Sequence, residues 1–463
     1  MRCLFIFVAF ALAAPASWAQ FSGVVSGRVT ATDSREDPYS AAGYLSSTNP
    51  LGNAEYRLPN RFNDRLVNVP EILVEVCVEL GFVPCRYQWT RTDEGGRFAV
   101  PWSGLLPPTK IRARVYAMRP QLADGEVIAG SNPPPREFRV TTAGVTNAIV
   151  GSNEINSSTG GLEGNQTLNV RLSTTSTAVE VVSAYLTAEE TYAMLSEQSI
   201  PAGGSIRSDM QGVDIFANSV FSGDSGGGVA PTNAEVLLVP GVAQARPFTL
   251  AHELGHIVAW RAMDWLAPPY EFSAYTYDGD VTWSDFSNEH EKPAFWEGFA
   301  HFVGGMWMWP RDANPGEPTG NTCGASGNNP GFPRGHPLTA VCVSLETASQ
   351  HSATGLIGCG SGVSGHRRAT CVARSFWDIV DRPPGTTNDA MTNRDLGHVV
   401  RVLRSYPRLC FPAPFDNRCR DEFGYDGNNW KDYQANHLSI FTGDAAALDA
   451  IESSNDQQGA TND

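Results

Sequence analysis

"FTLAHELGHIVAW", Phe248–Trp260, places two histidines four residues apart with a glutamate directly after the first. Pro247 suits the first turn of a helix, where a missing N–H leaves nothing unsatisfied, and no proline interrupts the run to Met263. On that helix His252 and His256 stand one turn apart on one face, so both imidazoles can reach one point. Leu250, Leu254, Ile257 and Val258 supply apolar surface that would bury the helix in a core. Gly255 costs the helix about 1 kcal/mol against alanine, which makes sense where another segment must pass closely. The bland reading is a core helix with incidental histidines. The sharper one is a metal site, with His252 and His256 as ligands and Glu253 beside them to move a proton.

Two histidines cannot hold a catalytic zinc ion alone, because such a site takes three protein ligands and keeps a fourth position open. The metzincin pattern would need glycine at position 259 and histidine or aspartate at 262, where this chain has Ala259 and Ala262. The alternative is a glutamate from a later helix. "PAFWEGFAHFVGGMW", Pro293–Trp307, offers Glu297, with Gly298 and Ala300 small enough to let two helices approach. Glu289, His290, Glu291 and His301 compete with it. The first three read as a charged loop or helix start, and His301, one turn after Glu297, as a partner behind a ligand or a surface residue. The expected set is His252, His256 and Glu297 holding Zn2+, with Glu253 as the catalytic residue.

The HELGH and WEGFA stretches together resemble the gluzincins, zinc peptidases that include thermolysin and the aminopeptidase N-like enzymes, many of which carry E-G-F-A around the ligand glutamate. The likeness covers the two helices and the strand before them. It implies an α+β zincin-like domain in which zinc-activated water attacks a scissile carbonyl while Glu253 acts as general base. Glu297 follows His256 at a longer interval than in the best-known gluzincins, with "PPYEFSAYTYDGDVTWSDFSNEHEK" looping between. No G-A-M-E-N stretch is present, so aminopeptidase specificity is not implied. Gluzincins add a downstream tyrosine or histidine at the oxyanion, for which His366, His398, Tyr406 and His437 are the candidates. "RSFWDIVD" resembles a helix that follows the ligand helix in secreted HELGH proteins, which leaves Asp378 and Asp381 as partners behind the site or as caps.

Outward from the two helices, "AEVLLV", Ala234–Val239, reads as a short strand, either an edge to which an extended peptide adds or a strand in mid-sheet. "GDSGGG", Gly223–Gly228, looks like the nucleophile loop of trypsin-like serine proteases, with Ser225 as nucleophile. Those enzymes place histidine and aspartate before the serine, whereas every histidine here follows it. The stretch reads as a flexible connection. "TAEETYAMLSEQ" reads as a helix with Thr187 and Glu190 spaced as a capping box.

Before Ser176 the period changes from helical to two. "SGRVTATD", "ILVEVCVEL", "RYQWTRTD", "GGRFAVPW", "KIRARVYAMR", "REFRVTT" and "TLNVRLST" read as strands separated by Asp-, Gly- and Pro-rich turns, the pattern of an antiparallel β-sandwich. "TRTDEGGRFAVPW" followed by "KIRARVYA" resembles the transthyretin-like or carboxypeptidase-regulatory β-domains attached to secreted peptidases. This half has no histidine and is expected to be a passive folding or attachment module rather than a substrate-binding one.

"MRCLFIFVAFALAAPASWAQ" has a basic start, an apolar run too short to span a bilayer, and small residues at Ser17 and Ala19, which reads as a signal peptide cleaved before Gln20. The eight cysteines that remain form an even set, expected as disulfides Cys77–Cys85, Cys323–Cys342, Cys359–Cys371 and Cys410–Cys419. A net charge of −16 argues against nucleic acid or an anionic membrane as partner. The expected organisation is multidomain: signal peptide 1–19, antiparallel β-sandwich 20–175, gluzincin-like domain 176–445 and polar tail 446–463. The expected protein is a secreted or periplasmic zinc peptidase acting on protein or peptide substrates, with no membrane span. The rival expectation is a secreted binding or adhesion protein with a structural or inactive zinc site, against which the intact Glu253 speaks.

Overall fold

The computed structural model describes residues 21–35, 65–81, 83–142, 148–157, 161–196, 205–219, 228–245, 247–263, 291–308, 368–380, 394–406 and 429–455, with isolated residues and short strands between 331 and 356. The expected signal peptide, Ser225, Glu289, His290, His366 and Asp381 lie outside the described residues.

β1 (Phe21–Asp33) turns Val25, Val29 and Ala31 inward, as its period of two predicts. β5 (Arg97–Gly104) pairs antiparallel with its first half and β2 (Arg65–Asn68) with its second. On its other side β11 (Gln166–Thr167) and β12 (Val170–Arg171) run parallel to it. A second, antiparallel sheet follows the order β10 (Ile149–Asn156), β6 (Pro108–Tyr116), β3 (Leu73–Leu80), β4 (Val83–Arg91) and β8 (Ile128–Ala129). Val74, Val76, Ile111 and Val115 of this sheet join Val25, Val29, Val100 and Trp102 of the first in one hydrophobic cluster. The sulfurs of Cys77 and Cys85 are joined across β3 and β4, and each of the other expected pairs includes a cysteine outside the described residues. The first sheet departs from the antiparallel expectation because "TLNVRLST" returns to β1 after a long excursion through β10. Such a crossover sets two strands running the same way.

A third sheet is mixed and reaches across residue 175. Its order is β14 (Gly228–Thr232), β15 (Glu235–Leu238), β13 (Val213–Ala217), β9 (Arg136–Thr142) and β7 (Met118–Pro120). β13 lies parallel to both β15 and β9, and β14 folds back antiparallel on β15. "REFRVTT", expected in a sandwich, is therefore β9 of the sheet that carries the later half of the chain. Its alternation shows that Phe138 and Val140 point into a core but not whose core that is. β15, "AEVLLV", lies in mid-sheet. Among the described residues the edge is β14, which opens on Gly228, the last residue of the glycine-rich run expected to be a flexible connection.

α1 (Ser176–Ser196) lies on this sheet, with the ring of Phe138 at 5.6 Å from Tyr185 and 5.9 Å from Tyr192. The helix starts eleven residues before Thr187, so Thr187 and Glu190 are no capping box. Both receive the buried Arg35 guanidinium, which also pairs with Asp33 at 2.7 Å and reaches Glu190 at 2.6 Å. Arg35 thereby fastens the end of β1 to the helical half. A second buried group does the same work. Arg119 of β7 pairs with Glu137 of β9 at 2.6 Å, with Glu189 of α1, and with Glu71 at 3.3 Å.

After a single short turn, α2 (Val242–Ala245), α3 (Pro247–Ala262) packs on the sheet, and α4 (Glu291–Met308), α5 (Ala369–Val380), α6 (Leu396–Arg404), α7 (Trp430–Ile440) and α8 (Ala445–Ser454) follow, packed on one another and on α3. The hydrophobic cluster runs without a break from Val25 to Ile451. α8 falls in the stretch expected to be a polar tail. "AAALDAIESS" buries Leu448 and Ile451 one turn apart, and the buried Asn455 donates from Nδ2 to Asp378 of α5 at 2.7 Å. Leu448 and Ile451 are the only large apolar side chains of this helix, too few to mark a buried face by their spacing. The chain is thus a mixed α+β protein, and no helix among its described residues is long and apolar enough to cross a membrane.

Candidate metal centre

The HELGH segment forms α3 as the sequence predicts, with Leu250, Leu254, Ile257 and Val258 fully buried. α4 crosses it closely. A Cβ on Gly255 would stand 2.9 Å from Ala300 Cα and 3.1 Å from Val303 Cβ, so only glycine allows this approach. Gly298 serves a different contact from the one expected. A Cβ there would meet Ala369 O and Val372 Cβ of α5 at 2.7 and 2.6 Å. α4 is therefore wedged between two helices, with Ala300 facing α3 and Gly298 facing α5.

That wedge brings Glu297 to the histidines. Its Oε2 lies 3.1 Å from His252 Nε2 and 3.5 Å from His256 Nε2. One ligand atom from each residue lies within 4.8 Å of the others, and all three residues are buried. Donors bound about 2.1 Å from one tetrahedral ion stand about 3.4 Å apart, so the carboxylate already holds the spacing that a shared ion requires. Two imidazole nitrogens and a carboxylate oxygen, buried and convergent, can hold a divalent metal ion. The donor set does not select one metal.

The electrostatics follow from burial. Burial opposes charge on His252 and lowers its pKa to about 4, so its contact with Glu297 is a hydrogen bond rather than an ion pair. His256 is also disfavoured by burial, but Glu297 and then Glu253 raise it. Burial by itself would lift Glu297, yet His256 and His252 hold it far below the usual carboxylate range. Glu253 is pushed up by burial and by the Glu297 charge, against His256 and an N–H from Ala230, to about 7. Ala230 belongs to the edge strand β14. Gly228 of the same strand packs on Glu253, where a Cβ would come within 3.2 Å of Oε1. Sequence reasoning missed this strand. "GVAPT" has no apolar–polar alternation and carries Pro231, so only the Asn233–Ala234 turn that follows it was an available signal.

Of the residues weighed as a third ligand, His301 is buried and its Nδ1 lies 2.8 Å from His252 Nδ1, on the side of that ring away from Glu297. Glu291 opens α4. Among the oxyanion candidates, His437 has Nε2 on Asp444 at 2.8 Å and Nδ1 near Tyr433 Oη at 3.4 Å. Both of its nitrogens are occupied. His398 closes the capping box of α6 through Asp395. Tyr406 is buried just after α6, and its pKa is raised by that burial. Asp378 holds Asn455.

No family model matches this sequence, and no curated protein sequence does. Among solved structures, a 9R-lipoxygenase from Cyanothece PCC8801 is similar at 14% identity with a TM-score of 0.15, over 37% of this chain and 23% of that one.

Proposed function

We propose that this protein is a secreted zinc-dependent peptidase whose metal is held by His252, His256 and Glu297 and whose general base is Glu253. One observation carries the reading. Three buried donors converge at ligand spacing while a fourth buried group, Glu253, sits beside them at a pKa near neutrality and binds none of the three. A purely structural site has no use for such a base. When bound, the ion supplies Lewis-acid polarisation of the substrate carbonyl and makes water easier to deprotonate.

The chain's own residues supply the rest. In its ionised form Glu253 accepts a proton from the attacking water and then delivers it to the leaving amine as the C–N bond breaks. The N–H of Ala230 orients the Glu253 carboxylate, which ties the base to the edge strand. β14 is the terminal strand of its sheet, so an extended peptide adding to its outer side would run past Glu253. α3, α4 and their buried aromatic neighbours exclude bulk water from the site.

Zinc content and casein cleavage are measured together on wild type, Glu253→Gln and Glu297→Ala. The expected result is one zinc per wild-type chain, cleavage lowered by roughly 10²- to 10⁴-fold in Glu253→Gln with zinc retained, and weakened zinc binding only in Glu297→Ala. Zinc binding without cleavage by wild type, across a panel of unfolded proteins, would support a binding or adhesion protein instead.

A further inference from the structure

We propose that the open face of the first sheet binds an acidic polysaccharide, whose anionic groups are held by Arg28, Arg97 and Arg171. The inference stands apart from the metal centre and goes beyond the peptidase reading. Val25, Val29 and Ala31 are buried on the inner face of β1, so Ser26, Arg28 and Thr30 between them point outward. The register sets Arg28 directly opposite Arg97 of β5, and Arg171 of β12 beside Thr30. Like charges directly opposite one another weaken a sheet unless an anion comes between them. Neither Arg28 nor Arg97 has an anionic partner among the described residues, and Arg171 donates only to the Thr32 hydroxyl, at 3.3 Å. β1, β5, β11 and β12 turn no acidic side chain to this face, in a chain with 49 acidic residues against 33 basic ones.

An open cavity of about 870 Å³ lies against this face, lined by Ser26, Arg28, Thr30, Arg97 and Thr167. Asp93 also lines it, with Oδ1 taken up by the N–H of Arg97 at 2.8 Å. The three guanidiniums belong to three neighbouring strands. Strands about 4.8 Å apart, with a rise of about 3.3 Å per residue, put Arg97 about 5 Å and Arg171 about 8 Å from Arg28 between Cα atoms. That spread suits repeated anionic groups along one chain better than a single small anion. Each guanidinium takes a carboxylate or sulfate through two parallel hydrogen bonds. The hydroxyls of Ser26, Thr30 and Thr167 lie among them and both donate and accept, as sugar hydroxyls require. Phe98 and Trp102 of β5 are buried on the inner face, so they offer nothing here for nucleotide bases to stack on. The net charge of −16 repels a polyanion only at a distance. Within a screening length of about 8 Å the sign of the local face decides.

Polygalacturonate is the probe, with heparin as its sulfated counterpart, dextran as the neutral control and single-stranded DNA as the competing polyanion. Binding of each to the full chain is measured by calorimetry for wild type, Arg28→Gln, Arg97→Gln, Arg171→Gln and Arg86→Gln, with the melting temperature of every variant. Arg86 is exposed on β4 of the second sheet, so its loss alters the net charge equally. Wild type is expected to bind polygalacturonate or heparin more tightly than DNA and to ignore dextran. The tighter of the two acidic polymers identifies the anionic group. Each of the three face variants should weaken that binding by about tenfold, and Arg86→Gln by no more than about twofold. Arg28→Gln and Arg97→Gln should melt no lower than wild type, because each removes half of a repelling pair. Binding of neither acidic polymer, equal binding of dextran, tighter binding of DNA, or an equal loss in Arg86→Gln overturns the proposal and leaves the metal centre untouched. Should a glutamine variant not fold, wild-type Arg28 and Arg97 that react with phenylglyoxal equally fast with and without polygalacturonate overturn it as well.

Discussion

Replacing Gly255 by alanine tests whether the approach of α3 and α4 sets the metal geometry. The new Cβ would stand 2.9 Å from Ala300 Cα, a backbone atom that cannot rotate away, and about 0.5 Å short of ordinary contact. Overpacking of this kind costs about 1–3 kcal/mol, while alanine returns about 1 kcal/mol of helix propensity. The metal-free protein relieves the clash by moving α4 outward, so its stability should change by no more than about 2 kcal/mol. Metal binding demands the close geometry again, because ligand distances tolerate only about 0.2 Å. The overpacking cost then reappears in the affinity, as a loss of about 5- to 150-fold at 1.4 kcal/mol per factor of ten. Gly298→Ala is the control. Its Cβ would strike α5 at 2.6 and 2.7 Å, on the side of α4 away from the histidines. It should destabilise the fold while leaving metal affinity within about threefold. Competitive metal titration and denaturant melts on both variants decide the matter. Unchanged affinity in Gly255→Ala, or an equal loss in Gly298→Ala, would refute the reasoning.

Arg35→Ala leaves the buried Asp33 and the partly buried Glu190 without their shared cation and should cost about 3–5 kcal/mol in denaturant unfolding. A cost below about 1 kcal/mol would mean that β1 is not fastened to α1 there. Burial pushes Glu189 up to about 7 despite its pairing with Arg119, so its contribution to stability is present below about pH 4.5 and is lost as pH rises through about 7. Glu189→Gln should flatten that part of the stability profile, and melting temperatures of both proteins between pH 4.5 and 7.5 check it. Asn455→Ala removes a hydrogen bond to the buried Asp378 and should destabilise by about 1–3 kcal/mol, measured against Ser453→Ala in the same helix as a near-neutral control.

The candidate metal centre was largely legible before any coordinates. A helix repeats every 3.6 residues, so HELGH placed His252 and His256 on one face, and Gly255 foretold a close crossing that Ala300 makes. Glu297 was legible through small residues around it, although Gly298 turned out to face α5. His301 was left undecided because spacing on α4 cannot tell a side chain behind His252 from one on the surface. In the first half, period two located β1, β3 and β6 as strands, yet placed β9 with the wrong neighbours.

By itself, then, the sequence of this protein determined local matters: where helices and strands run, which of their faces are apolar, and which nitrogen and oxygen donors share a helical face. These depend on backbone periods that span a few residues. Only the tertiary structure decided that β14 rather than β15 is the edge beside Glu253, that Thr187 and Glu190 receive Arg35, that α8 belongs to the core, and that His301 backs His252. Each of these is a choice of partner between distant segments. Such choices are made by burial and polar satisfaction summed over the whole core, to which many short segments contribute with nearly the same local pattern.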